Sequence, residues 1–196
     1  MRNRRQHTFV FADIVGFTTF TAERGDDAAA DLATGFFEEV SRLAVAHGAE
    51  AIKAIGAAAM GRASTASDAV GLALAVLDEL SDRRGFPAVR IGMHTGPAVE
   101  RAGDWFGATV NLAARVAGAA RAGEVLVTHE TWNAVRARLD LELEHRGPYE
   151  FKNVAGELAV YAIAEQRAAS RAPLRRERRL QPAIEPLPAL AAAARP

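Results

Sequence analysis

The stretch AEAIKAIGAAAMGRAS, residues 49–64, decides the architecture. AEAIKAIG reads as a strand that ends at Gly56. GAAAMGRAS is then its hairpin partner, because the helical pattern opening at Ser67-Asp68 leaves room for only a short connector. That second strand is poor in side chains. It offers one large apolar residue, Met60, and places Gly61 and Ala63 where strands prefer branched residues, so a loose hairpin is expected.

Upstream, HTFVFADI (7–14) is a strand that delivers Asp13 to its C-terminal end. VGFTTFTAERGDD makes a turn and a first helical turn. Residues 27–47 then repeat apolar groups at helical spacing through Ala30, Leu32, Ala33, Phe36, Phe37, Val40, Leu43 and Ala44, with Gly48 as C-cap. Downstream of the hairpin, Leu72, Leu74, Ala75, Val76, Leu77 and Leu80 mark a second helix. FPAVRIGMHTGPAVE is a strand, a Gly-Pro break and a further strand. VNLAARVAGAA is a helix with Asn111 near its start. EVLVTHE is a strand, TWNAVRARL a helix, and strands follow near LELEHRG and LAVYAIAE. The order predicts an α/β sandwich of the ferredoxin-like kind, with helices on a mainly antiparallel sheet.

A chain of 196 residues carries one domain with a real core. Formal net charge is zero, so no overall field draws it to nucleic acid or a membrane surface. There is no cysteine, which excludes disulfides, thiolate catalysis and Cys-zinc sites and fits a reducing compartment. The first apolar run is broken by Asp13, too early for a signal peptide or a membrane span. A cytoplasmic chain with no nucleic-acid partner is expected. From Arg167 to the end the sequence holds five of the eight prolines, seven arginines and two glutamates. We read 1–166 as the folded domain and 167–196 as a disordered Arg/Pro/Ala-rich tail: a solvated tail, a linker, an arm for an acidic partner or a lipid-surface contact.

Two stretches carry chemistry. In FADIVGFT (11–18) a strand ends in Asp13, and Gly16-Phe17-Thr18 turns into a helix. A helix start offers free N–H groups to phosphate, and a carboxylate beside it suits Mg²⁺. An Asp in an ordinary strand-turn would look the same. In DWFGATVNLAAR (104–115) Asn111 and Arg115 are four apart and share one helical face, fit to grip a ribose and a phosphate. A capping asparagine and a surface arginine would also look alike. Lys53 and Lys152 are the only lysines in a chain that otherwise uses arginine. A compact ammonium needed at both places explains that usage, as does a biased genome. His94 reads as a packed turn residue, and Trp105 and Phe106 as core or interface packing or the lining of a purine pocket.

Together, FADIVGFT, HGAEAIKAIG, VRIGMHTGPAVE, DWFGATVNLAARV, GEVLVT and the FKNV…LAVYAI ending resemble the class III adenylate/guanylate cyclase catalytic domain, from about Thr8 to Ile163. The resemblance implies conversion of ATP to 3′,5′-cyclic AMP and pyrophosphate, with two Mg²⁺ or Mn²⁺ ions at a head-to-tail dimer interface. It places Asp13 and the Ile14 backbone carbonyl on metal, and Gly16, Phe17 and Thr18 at the phosphates. It sets Lys53 and Asp104 on adenine and Lys152 on the triphosphate. Asn111 orients the ribose, and Arg115 stabilises charge on the α-phosphate. FKNV departs from the family's more usual Lys-Gly, so a changed turn with a retained contact is expected. Where the family reads Ile-Gly-Asp, this chain reads Ile55-Gly56-Ala57, and the second metal carboxylate is missing. The resemblance therefore implies an impaired adenylate cyclase acting as a homodimer. The alternative is an inactive homologue that binds nucleotide or serves as heterodimer partner to an intact cyclase chain.

Overall fold

The computed structural model describes residues 5–81, 83–136, 141–154 and 156–164; the Arg-rich tail lies outside them. In chain order the elements are β1 (Gln6–Ile14), α1 (Phe17–Arg24), α2 (Asp26–Ala46), β2 (Ala49–Ile55), β3 (Ala58–Ala63), α3 (Ala66–Ser81) and β4 (Val89–Pro97). There follow β5 (Val99–Arg101), β6 (Asp104–Phe106), α4 (Ala108–Ala119), β7 (Val125–Thr128), α5 (His129–Val135), β8 (Glu142–Glu150) and β9 (Glu157–Ala164). Seven strands form one sheet in the order β2-β3-β1-β4-β7-β9-β8, and β5-β6 is a separate hairpin. Among the described residues only β4–β7 is parallel; the other five pairings of the large sheet are antiparallel. This is the expected mainly antiparallel α+β sandwich.

Alternation along β1 explains the layers. Val10, Ala12 and Ile14 point to one face, where they join Phe36, Val40 and Leu43 of α2 and Val70, Leu72 and Val76 of α3. Phe9 and Phe11 point to the other, against Met60 and Val110, Ala113 and Ala117 of α4. Asp13 continues this second series. The chain's β1 carboxylate therefore emerges on the face that α4 covers.

Three local expectations are corrected. Residues 17–24 form a full helix of their own, separated from α2 by Gly25 at φ 85°. The buried stripe of α2 begins at Ala29, and Ala30 is exposed. Helix α3 starts at Ala66, because Thr65 accepts the Asp68 N–H at 3.1 Å and donates to its carboxylate at 2.6 Å, a reciprocal cap that precedes Ser67-Asp68. In the β2–β3 hairpin, β3 is paired with β1 on one side and with β2 on the other, the β2 side with a register shift between Ala51 and Lys53. A Cβ on Gly61 would stand 3.7 Å from the Leu72 side chain, an ordinary contact, so the position has room for an alanine.

Close packing is most severe where α4 crosses β4. A Cβ on Gly92 would fall 1.9 Å from the Ala117 amide nitrogen and 2.5 Å from the Val116 carbonyl carbon, both backbone. Gly92→Ala is therefore expected to destabilise the fold by about 3 kcal/mol, read as a lower urea midpoint at unchanged slope. Among the described residues no helix is long and apolar enough to cross a membrane.

Candidate active site

The end of β1 and the turn after it form the first part of the site. Gly16 takes φ 76° and caps α1 without a side chain, so the first amides of the helix keep their donors free. The Val15 N–H is spent on the Ala88 carbonyl at 2.8 Å, which pins the turn against the β4 entrance. Asp13 does not stand alone. It faces Arg90 across the β1–β4 ladder. The Arg90 Nε and Nη2 both donate to Asp13 Oδ2, at 2.9 and 2.6 Å. The Arg90 Nη1 donates to the Gly118 carbonyl at 3.1 Å.

Ala57 sits beside this pair. Its carbonyl accepts the Ile14 N–H at 3.3 Å, so position 57 neighbours the last residues of β1, and it brings only a methyl group. Among the described residues there is no group of three His, Cys, Asp or Glu able to hold a metal ion. One carboxylate, with one oxygen already taken by a guanidinium, does not fit the two-ion requirement.

The second part lies on the same face, around β2 and β6. Lys53 Nζ pairs with Asp104 Oδ2 at 2.5 Å across 51 residues of sequence. The other carboxylate oxygen accepts the Trp105 N–H at 2.8 Å. The Lys53 bond and then the Trp105 N–H hold the Asp104 carboxyl below its ordinary pKa, so it is ionised at neutral pH. Sequence reasoning had no strand at 104–106. The strand exists because Ala102 and Gly103 both take positive φ, 52° and 77°, and close a two-residue hairpin with β5.

Behind Asp104, Trp105 is clamped. The His7 ring lies 4.5 Å and the Phe9 ring 5.7 Å from its centroid, with the Arg62 guanidinium 5.0 Å above it. Trp105 therefore packs. Phe106, half exposed, instead lies under the Lys53 ammonium at 5.9 Å.

Helix α4 carries Asn111, exposed, and Arg115, partly exposed, one turn apart. Lys152 is exposed on the β8–β9 connection. The next residue, Asn153, takes φ 59°, a left-handed position natural to glycine that asparagine tolerates. That accounts for Lys-Asn in place of Lys-Gly. The structure brings Lys53 to Asp104; it shows no bond from either to Asp13, Asn111, Arg115 or Lys152.

Two residues escaped sequence reasoning. Arg90 had a visible signal: a lone cation at the mouth of the apolar run VRIGM. Arg62, which bonds Glu50 at 2.8 Å and His7 at 3.0 Å while covering Trp105, had none. His94 is a strand residue and not a turn residue, and it is packed as expected. Its Nδ1 meets the Thr128 hydroxyl at 2.8 Å.

Burial lowers the His94 pKa against the opposing pull of Glu130, and burial with Arg62 lowers that of His7. A histidine whose folded pKa is depressed stays neutral while the unfolded chain protonates. Stability is therefore lost as pH falls through the unfolded value, about 6.5. The wild-type melting temperature is expected to drop between pH 7 and 5 by about 3 °C more than that of His94→Gln.

One face of the sheet thus carries the Asp13–Arg90 pair and the start of α1 at one end and the Lys53–Asp104 pair at the other. The family model for the adenylate and guanylate cyclase catalytic domain matches residues 1–165, and the chain belongs to that family. A pH-sensitive adenylate cyclase of Mycobacterium tuberculosis is 32% identical over 162 residues, covering 81% of this chain and 41% of that protein. An adenylate cyclase of Streptomyces coelicolor is 33% identical over 117 residues, 60% of this chain and 31% of that protein. The chain thus spans less than half the length of these curated relatives.

Among solved structures, the catalytic core of a rhodopsin-guanylyl cyclase with converted specificity, in complex with ATPαS, superposes with a TM-score of 0.75 at 22% identity. The match covers 82% of this chain and 96% of that one. The P. aeruginosa adenylyl cyclase CyaB gives 0.71 at 24% identity, covering 85% and 97%.

Proposed function

We propose that this chain is an adenylate cyclase-type domain that reads ATP with an intact purine and ribose side and is impaired on its metal side. The observation that carries the reading is the Lys53–Asp104 pair. An ammonium has three protons and a carboxylate about four acceptor sites. After their mutual bond and the Trp105 N–H, each keeps capacity for a ligand. Lys53 donates to adenine N1, and Asp104 accepts from the 6-amino group. Guanine presents N1–H and O6 in the same places, which sets donor against donor and acceptor against acceptor. Asn111 orients the ribose and Arg115 meets charge developing on the α-phosphate, from one face of α4. The free amides of Gly16-Phe17-Thr18 and the Lys152 ammonium take the remaining phosphates. The product is 3′,5′-cyclic AMP with pyrophosphate.

The site is shared between two chains. Val99, Ile55 and Phe106 are 37, 49 and 50% exposed around the Lys53–Asp104 pair, which supports a covering partner. Ala57 and the Asp13–Arg90 pair favour a second reading. In it this chain gives its purine and ribose side to an intact cyclase chain that holds the metal ions. In either case ATP is expected to outcompete GTP for the chain by about tenfold or more, with Lys53→Ala abolishing the preference. Competition against a fluorescent ATP analogue measures this, and equal affinity for both nucleotides would overturn the adenine reading.

A further inference from the structure

We infer that Asp13 in this chain is the anchor of an internal clamp and not a metal ligand, with the Arg90 guanidinium as its resident cation. The sheet itself enforces the pair, because the two residues are direct cross-strand partners on β1 and β4. Both bonds from Arg90 reach the same oxygen, Oδ2, at 2.9 and 2.6 Å. The third bond goes to the Gly118 carbonyl at 3.1 Å. Gly118 lies in the last turn of α4, where carbonyls lack helical partners and the helix dipole favours a positive charge. One guanidinium therefore joins the end of β1, the start of β4 and the C-terminal end of α4. Its side chain is 32% exposed and that of Asp13 24%, so neither charge is freely hydrated.

Charge decides against a divalent ion here. Asp13 and Arg90 cancel, and Ala57 adds nothing. An incoming dication would meet the guanidinium at short range with no second carboxylate to offset the repulsion. The clamp also explains why an aspartate remains at position 13 beside a site stripped of its other carboxylate. Removing it would leave the charge of Arg90 half-covered and unpaired. The inference rests on the proposed function only for its purpose, which is to hold the helix bearing Asn111 and Arg115. The clamp itself does not depend on it.

Thermal unfolding in EDTA or excess Mn²⁺, with Mn²⁺ binding followed by electron paramagnetic resonance, tests the inference without any turnover. The wild-type chain is expected to immobilise no Mn²⁺ and to melt at the same temperature in both buffers. Ala57→Asp gains Mn²⁺ binding and an upward shift. In EDTA, Asp13→Asn and Arg90→Gln each lower the melting temperature by about 4 °C, and the double variant falls no further than the worse single one, as a coupled pair requires. Two results would overturn the clamp: Mn²⁺ binding by the wild type that Asp13→Asn abolishes, or an Asp13→Asn chain as stable in EDTA as the wild type. If a clamp variant does not fold, the Mn²⁺ arm on wild type and Ala57→Asp decides alone. The preference for ATP over GTP is read separately, so either idea can fail without the other.

Discussion

Ala57→Asp raises cyclic AMP formation by the purified chain about a thousandfold in Mn²⁺-ATP. The backbone is already arranged for it. The Ala57 carbonyl accepts the Ile14 N–H, so position 57 is held at the end of β1, within a residue of Asp13. The turn before it is open, because a Cβ on Gly56 would meet nothing within 4 Å. The metal's charge stabilisation in such a site is worth several kcal/mol, and recovering about 4 kcal/mol gives the factor stated. Mn²⁺ is the cation to use, since it binds a given ligand set more readily than Mg²⁺. Ala57→Asn, equal in shape and without charge, separates a restored ligand from a merely filled space and is expected to gain nothing. Equal rates for Ala57→Asp and wild type would mean that the missing carboxylate does not limit the chain.

Mixing the wild-type chain with an Ala57→Asp/Arg115→Ala chain restores activity that neither shows alone. The double variant has both carboxylates but lacks the α-phosphate cation. The wild type keeps that cation but lacks a carboxylate. If one chain gives the metal side and the other gives Lys53, Asp104, Asn111 and Arg115, the mixed dimer contains one complete site. Removing a group that stabilises transition-state charge costs about a hundredfold or more, so the mixture is expected to exceed the sum of the two chains by about a hundredfold. A purely additive mixture would place the site within a single chain or show that the chains do not pair. A large excess would also show directly that the wild-type chain serves as the purine and ribose side for a metal-competent partner.

Much of this molecule was legible in its sequence because local chemistry decided it. The short apolar run in HTFVFADI makes β1, buried on both faces, and sends Asp13 to its end. Ile-Gly closes a hairpin, and the apolar spacing of 27–47 and 67–80 admits only helices. The absence of a carboxylate at 57 is a fact of sequence alone. Misreadings fell where a few atoms outweigh a pattern. The reciprocal Thr65–Asp68 cap moved the start of α3. The left-handed Ala102-Gly103 turn made β6, which three residues of sequence were too short to announce.

Sequence by itself thus determined most of the elements and the inventory of charges with its one gap. Tertiary structure alone decided which charges meet. Period-two alternation tells which face a strand residue takes, but not which strand lies beside it or in what register. Arg90 reaches Asp13 across 77 residues through the β1–β4 register, and closes on Gly118 only because Gly92 lets α4 sit against β4. Cross-strand pairing and close helix–sheet approach are long-range properties of packing, and no window of sequence contains both partners.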